Sequence, residues 1–483
     1  MHVAFGKVSV TPADLSGLSL AGYYRKKRVQ GVMDTLYARG ILIEDTILGN
    51  VKKRVLLISI DTMKVPLKFT DYIKEKLFDA YKIAPGAVLI HAIHTHAGLD
   101  LTGEYHWPGN LGNTVRSIMF GTGRNDKLLV WMARQIVKMV GEMLQHMEPC
   151  KIAWARTVIN GHVIHNRRHY TKPYVPDLGI ICFKNLDTDA IIGVAVNFGA
   201  HPTILSNRNY LLSAEWPGRL VARIESCSGF KAVFFNDAAG DVSPSFAGLH
   251  TYIKKIRKAR FAGKRVRFRI SQAARENAID EYGGMIGDIA LDFARSIPAS
   301  AYFDRIEAKC YTRLTWLPID DFKGKYNPLV RIQNRFWHLS KKYFLLPIVF
   351  AITHDNEPNF PGLALKHRGL MNVQCYTKIQ YFRFVATDTA TGKTGSFNII
   401  GIPGEPLRHF GRYIQRRTKE GFENSFMFQM STDWMAYLFD YSEYTYGGGE
   451  PMESLTPVAG KYLKKHFIQL FEDIEEGLTA GHF

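Results

Sequence analysis

Short apolar runs of strand length alternate along this chain with amphipathic stretches of helical period, and that alternation restricts it to the α/β class. VKKRVLLISID (51–61) reads as a strand and FTDYIKEKLFDAYKI (69–83) as an amphipathic helix. GAVLIHAI (86–93) is a strand again, and LLVWMARQIVKMVGEMLQHM (128–147) has helical period, with its methionines filling core. AIIGVAVNF (190–198), KAVFF (231–235) and SFNIIGI (396–402) are further strand candidates. EPLRHFGRYIQRRTK (405–419) sets Leu407, Phe410 and Ile414 on one helical face, with Pro406 suited to the first turn. The chain shows no internal repeat and no low-complexity linker. The expected architecture is a mixed β-sheet core flanked by helices, a single domain over 1–483, with a metal site at strand ends and basic insertions near 245–275 and 320–350.

Four of the strand candidates run into polar residues suited to chemistry. The first ends in His91-Ala92-Ile93-His94-Thr95-His96. Residues two apart in extended backbone share a side, so His94 and His96 address one place, and neutral imidazole is a common zinc ligand. His91 is out of phase with that face and packs or pairs elsewhere. The second strand ends in NFGAHPT (197–203), which contributes His201, and the third leads into NDAAGDVSP (236–244). The small residues there allow close backbone approach, so Ser243 reads as a nucleophile or a donor to substrate, or else as part of a capped turn. The fourth ends in PGE (403–405), and Glu405 is expected at a helix start, where a carboxylate is stabilised in any case.

Together HTHAG (94–98), NFGAHPT (197–203), NDAAGDVSP (236–244) and PGE (403–405) resemble the neutral ceramidase family, in order and in spacing. LAGYY (20–24), HNRR (165–168), SAEWPG (213–218) and AYLFDYSEY (436–444) extend the resemblance from about residue 5 to about residue 455. The resemblance implies a zinc-dependent hydrolase of the amide in N-acyl sphingoid lipids, here as a catalytic domain without the immunoglobulin-like C-terminal domain. It implies one Zn2+ per chain, held by His94, His201, Glu405 and Tyr437. It also implies a substrate-side His96, Ser243 as nucleophile, and Arg167 facing the scissile amide. A second tyrosine follows the ligand tyrosine in that family. Its place falls on Gly447-Gly448-Gly449, and Tyr446 stands nearest to it.

Charge and length bound the partners. Lys+Arg 62 against Asp+Glu 44 leaves a net charge of +18, which favours anionic partners. Residues 251–270 hold nine Lys/Arg, Lys254, Lys255, Arg257 and Lys258 among them, and 328–346 read as a basic amphipathic stretch with Phe336 and Trp337 as interfacial anchors. An anionic membrane surface is therefore an expected partner beside an N-acyl lipid or other amide substrate, and a solvated basic face is the plainer alternative. No nucleic-acid motif occurs, so nucleic acid is not expected. The start MHVAFGKVSVTPADL lacks a basic segment followed by a long apolar run, and the longest uncharged apolar stretch, 343–353, is 11 residues. A membrane span needs roughly 20. Five scattered cysteines without a CxxC fit a reducing compartment, so the expected location is cytoplasmic, with peripheral membrane association as an extension. The rival functions are a metal hydrolase of a small polar amide or ester, and a basic membrane- or nucleic-acid-binding protein with a degenerate site.

Overall fold

The computed structural model describes residues 1–46, 52–106, 112, 125–169, 172–245, 270–318, 365–367, 373–446, 450, 454 and 458–479. The basic segment Lys254–Lys258 and the amphipathic stretch 328–346 with Phe336 and Trp337 lie outside the described residues. The fold is α/β, with a large mixed sheet flanked by helices. That sheet has eight strands: β1 (His2–Ser9), β2 (Tyr37–Thr46), β3 (Lys52–Ile60), β4 (Val88–Ala92), β5 (Glu148–Val158), β6 (Asp177–Asn185), β7 (Ile191–Phe198) and β8 (Lys231–Asn236). Their order across the sheet is β8-β7-β6-β5-β1-β2-β3-β4. Helices α1 (Leu67–Tyr81), α2 (Asp126–Gln145), α3 (Glu215–Ser228) and α4 (Gln272–Ser296) cover one face. A second sheet of β9 (Arg305–Pro318), β10 (Val373–Thr387), β11 (Thr394–Gly401) and β12 (Ser425–Phe428), with Leu365–His367 paired to β10, covers the other. Its far side carries α5 (Arg408–Gln415) and α7 (Ala459–Glu475), while the short α6 (Tyr441–Tyr446) lies between them in the chain.

Side-chain alternation explains the layering. Along β3, Leu56 and Ile58 point to the helices, and Val55 and Leu57 to the second sheet. In β8, Ala232 and Phe234 face the helices, and Val233 and Phe235 the second sheet. A strand covered on both sides reads as a continuous apolar run, which is why these segments were legible as strands. Burying both faces at about 25 cal/mol per Å² of apolar surface is the main force holding the layers together.

The chain path is repeated in the large sheet, although the sequence is not. β1-β2-β3 pair antiparallel in succession, and β4 returns parallel to β3 after α1. β5-β6-β7 do the same, and β8 returns parallel to β7 after α3. The halves meet through the antiparallel β1–β5 pair. Their topology repeats without any repeated sequence, because backbone pairing needs only apolar strands and a crossover helix. The sheet coils until its two edges touch: Ser59 Oγ donates to the Phe234 carbonyl at 2.7 Å, and the Asn236 N–H donates to His91 Nε2 at 3.0 Å.

A correction concerns Glu405 and Pro406, which do not begin a helix. They form a two-residue strand parallel to Tyr437–Leu438, and the helix starts only at Arg408. A residue before proline is driven toward extended backbone, which accounts for Glu405 leaving the helical path. Among the described residues no helix is long and apolar enough to cross a membrane.

Candidate metal centre and active site

The site forms where the two edges of the large sheet meet. The turn after β4 carries His94 and His96, and the turn after β7 carries His201. All three are buried, and their imidazole nitrogens gather within 4.8 Å of one another. His94 Nε2 lies 3.0 Å from His201 Nε2 and 3.3 Å from His96 Nε2. Glu405 Oε2 is 3.1 Å from His94 Nε2 and 3.3 Å from His201 Nε2.

Backbone carbonyls fix how these rings present themselves. His94 Nδ1 faces the Met63 carbonyl at 2.9 Å, His201 Nδ1 the Ala239 carbonyl at 2.7 Å, and His96 Nδ1 the Gly22 carbonyl at 3.2 Å. A carbonyl only accepts, so each Nδ1 carries the hydrogen and each Nε2 is left with a bare lone pair. Bare lone pairs at 3.0–3.3 Å repel unless a cation lies among them. Glu405 Oε2 is buried among these nitrogens with no hydrogen bond of its own. Donors of this kind, locked by outer hydrogen bonds, suit a metal ion. Burial pushes His96 well below the ordinary histidine value and His201 down to about 4, so both stay neutral and ligand-competent at neutral pH. Burial alone would raise the Glu405 carboxyl, but positive charge at the facing His94 and His201 outweighs it and holds the carboxyl well below the usual range, the part a bound cation would play between neutral rings.

Strain surrounds the cluster. His94 itself has φ 71, and Met430, Thr432 and Ala436, on the loop between β12 and Tyr437, also have positive φ. Such backbone costs about 1–3 kcal/mol per residue and persists where the surroundings impose it. Gly22 is needed for a different reason: a Cβ there would fall 2.3 Å from His96 Nδ1.

The remaining expected residues divide into two groups. Tyr437 is the bridge partner of Glu405, its ring stacks 6.5 Å from that of His201, and its hydroxyl accepts from Arg167 at 2.7 Å. Arg167 also donates to the Gly240 carbonyl at 2.6 Å and pairs with Glu450 at 3.0 Å. Burial disfavours its charge, but Tyr437 and Glu450 outweigh that and keep it cationic. Ser243 lies in a short ladder, Val242–Pro244 against Ile164–Asn166, and the preceding Val242 carbonyl accepts the His201 N–H at 2.9 Å. The structure thus brings His94, His96, His201, Glu405, Tyr437 and Arg167 together, with Ser243 beside them. Tyr446 stands apart from them: it is 59% exposed, its ring lies against His169 and its hydroxyl reaches the Arg168 carbonyl at 3.4 Å. His91 is no part of the cluster, being held between Ser59 and the Asn236 N–H.

Several supporting groups escaped the reading of the sequence. Trp434 Nε1 approaches Glu405 Oε1 at 3.4 Å, and Lys64 packs 3.4 Å over the same indole. The buried Arg25 ties the His96 carbonyl, at 2.6 Å, to those of Ala21 and Asn209. Asp241 holds the Arg408 N–H at 2.8 Å and the Tyr174 hydroxyl, which anchors the turn before Ser243. Arg25, Asp241 and Trp434 stand in or beside the quoted motifs, which was their signal, while Lys64 had none.

No family model matches the chain, and no curated protein matches it. Its fold is that of the neutral ceramidases. The crystal structure of neutral ceramidase from Pseudomonas aeruginosa matches with a TM-score of 0.67 at 16% identity, covering 99% of this chain and 74% of that one. A ceramidase complexed with C2 matches with a TM-score of 0.67 at 16% identity, covering 99% of this chain and 75% of that one. At this identity the likeness carries the fold.

Proposed function

We propose that the protein is a zinc-dependent amidohydrolase that cleaves the amide of an N-acylated lipid of the ceramide type. One observation carries the reading: three buried, oriented imidazole lone pairs and an unpartnered carboxylate oxygen converge at the end of a fold shared with neutral ceramidases. His94, His201 and Glu405 are mutually within 3.0–3.3 Å and would hold the ion. Tyr437 and His96 border that trio, and we assign the first to the metal and the second to the substrate. Zinc bound there would act as a Lewis acid on the amide carbonyl.

The chain's own residues supply the rest. Arg167, fixed by the Gly240 carbonyl and the Tyr437 hydroxyl, directs N–H donors toward the charge that develops on the carbonyl oxygen. Ser243 supplies the attacking hydroxyl. His96, neutral and close-packed against Gly22, orients the amide. Tyr446, at the outer side of the Arg167–Arg168 turn, is assigned to substrate entry. A peripheral association with anionic membrane would bring such a substrate to the site.

The test is hydrolysis of a panel of N-acyl sphingoid lipids, other N-acyl lipids and small polar amides, with and without a chelator. Cleavage of the lipid amides, lost with chelator and regained with zinc, is the expected result. Cleavage of the polar amides alone would replace the lipid assignment, and chelator-resistant cleavage would remove the metal from the account.

A further inference from the structure

We propose that His165 is the base that activates Ser243, an assignment that rests on the amide hydrolysis proposed above. A serine hydroxyl is a weak nucleophile unless a neighbouring base takes its proton. His96 is poorly placed for that role: its Nδ1 is committed to the Gly22 carbonyl and its Nε2 is turned to His94. The structure supplies another imidazole. Ser243 and His165 are direct partners in the antiparallel ladder of Val242–Pro244 with Ile164–Asn166. Opposed residues in such a ladder send their side chains to one face, with Cβ atoms about 4.5–5.5 Å apart.

That face is the open one. Ser243, His165 and Arg167 are half-buried, while the alternating neighbours Val242, Pro244, Ile164 and Asn166 are buried. Arg167, in the bend just past the end of that strand, reaches the Tyr437 hydroxyl at 2.7 Å. The ladder is tied to the metal cluster, since the Val242 carbonyl accepts the His201 N–H at 2.9 Å. The proposed serine, its cross-strand histidine and the arginine therefore line one strip beside His201 and Tyr437.

The reaction balances with these groups. As Ser243 Oγ forms its bond to the amide carbonyl carbon, its proton passes to the His165 imidazole. Collapse breaks the C–N bond, and the imidazolium returns that proton to the departing amine nitrogen. Water then adds to the acyl ester, giving one proton to His165. The C–Oγ bond breaks, Ser243 recovers the proton, and the fatty acid leaves.

The experiment uses the full, zinc-loaded chain and an amide that the wild type cleaves. His165→Ala should lower kcat on the order of 10²–10⁴-fold, the usual contribution of a general base, with zinc content and KM little changed. Added imidazole should restore part of the loss. The acid limb of the wild-type pH–rate profile should vanish in His165→Gln, which keeps a polar side chain of similar reach. The double variant His165→Ala/Ser243→Ala should be no slower than Ser243→Ala alone, because the two act as a unit. Unchanged kcat in His165→Ala, additive losses in the double variant, or a retained acid limb in His165→Gln would each overturn the assignment. Failure of the wild type to cleave any amide would instead overturn the function on which it rests.

Discussion

The two halves of the large sheet follow one path and divide the work of the site in opposite ways. In the first half, the outer turn after β4 supplies His94, and the inner turn after β3 supplies the carbonyls that hold it. Thr62 accepts the His94 N–H at 2.9 Å and Met63 faces its Nδ1 at 2.9 Å. In the second half the roles are exchanged. The inner turn after β7 supplies His201, and the outer turn after β8 holds it, with Val242 accepting its N–H at 2.9 Å and Ala239 facing its Nδ1 at 2.7 Å. The loop between the first two strands leans over the site in each half. One brings Gly22 to His96, and the other brings His165 and Arg167 to Ser243. A repeated backbone can therefore be specialised by placing a histidine in one turn and the carbonyls that orient it in the other.

The largest effect that separates the halves is expected from pH. Each crossover helix starts at a buried acid. α1 begins at Leu67, whose N–H donates to Asp433 at 3.2 Å, and α3 begins with Glu215, which accepts the Leu205 N–H at 2.8 Å in the loop that follows His201. Burial raises Asp433 to about 7 and Glu215 to about 8. Both folded values lie above the ordinary carboxyl range, so the fold favours the neutral forms. Their contribution is present below about pH 4 and is lost as pH rises toward 7 and 8 respectively. Urea unfolding at pH 5 and pH 8 should show Glu215→Gln narrowing the wild-type difference by on the order of a few kcal/mol. An identical difference in the two proteins would mean that the acid is not held neutral.

A smaller effect should follow from the loop of the first half alone. Gly22→Ala drives a methyl group toward His96 and meets φ +88, so activity should fall about 10–100-fold with the fold retained. Normal turnover in that variant would show that His96 does not depend on this close approach. The smallest effect tests the clasp between the halves. Ser59→Ala removes the 2.7 Å bond to the Phe234 carbonyl and the contact with His91, and should cost about 1–2 kcal/mol in denaturant unfolding without changing metal content. Loss of metal in that variant would mean that the clasp also sets the geometry of the site.

Much of the first layer was legible because both faces of its strands are buried and read as apolar runs. The histidines stood out because they follow those runs directly. The rest was hidden for physical reasons. Glu405 was read as a helix start, while Pro406 after it favours the extended strand that carries the carboxylate to His94 and His201. α4 went unread because its glycines look like helix breakers. In the structure they admit α3: a Cβ on Gly283 would meet the Trp216 carbonyl at 2.5 Å, and one on Gly287 the Arg223 Cβ at 3.0 Å. Met63, Ala239 and Gly22 act through their carbonyls, which no pattern of side chains announces. His165 sits in a motif noted only for Arg167, and its partner in the ladder is 78 residues away, a relation that only the strand register reveals.

The central claim is that one ligand from each half and the Glu405 carboxylate hold a single metal ion. Elemental analysis of the purified full chain, dialysed against zinc and then against metal-free buffer, tests it directly. The expected result is about one zinc per chain in the wild type, and loss of that zinc from His94→Ala, His201→Ala and Glu405→Gln, each still folded by circular dichroism. A wild type that retains no metal, or a folded His94→Ala or His201→Ala variant that keeps its full complement, would contradict it.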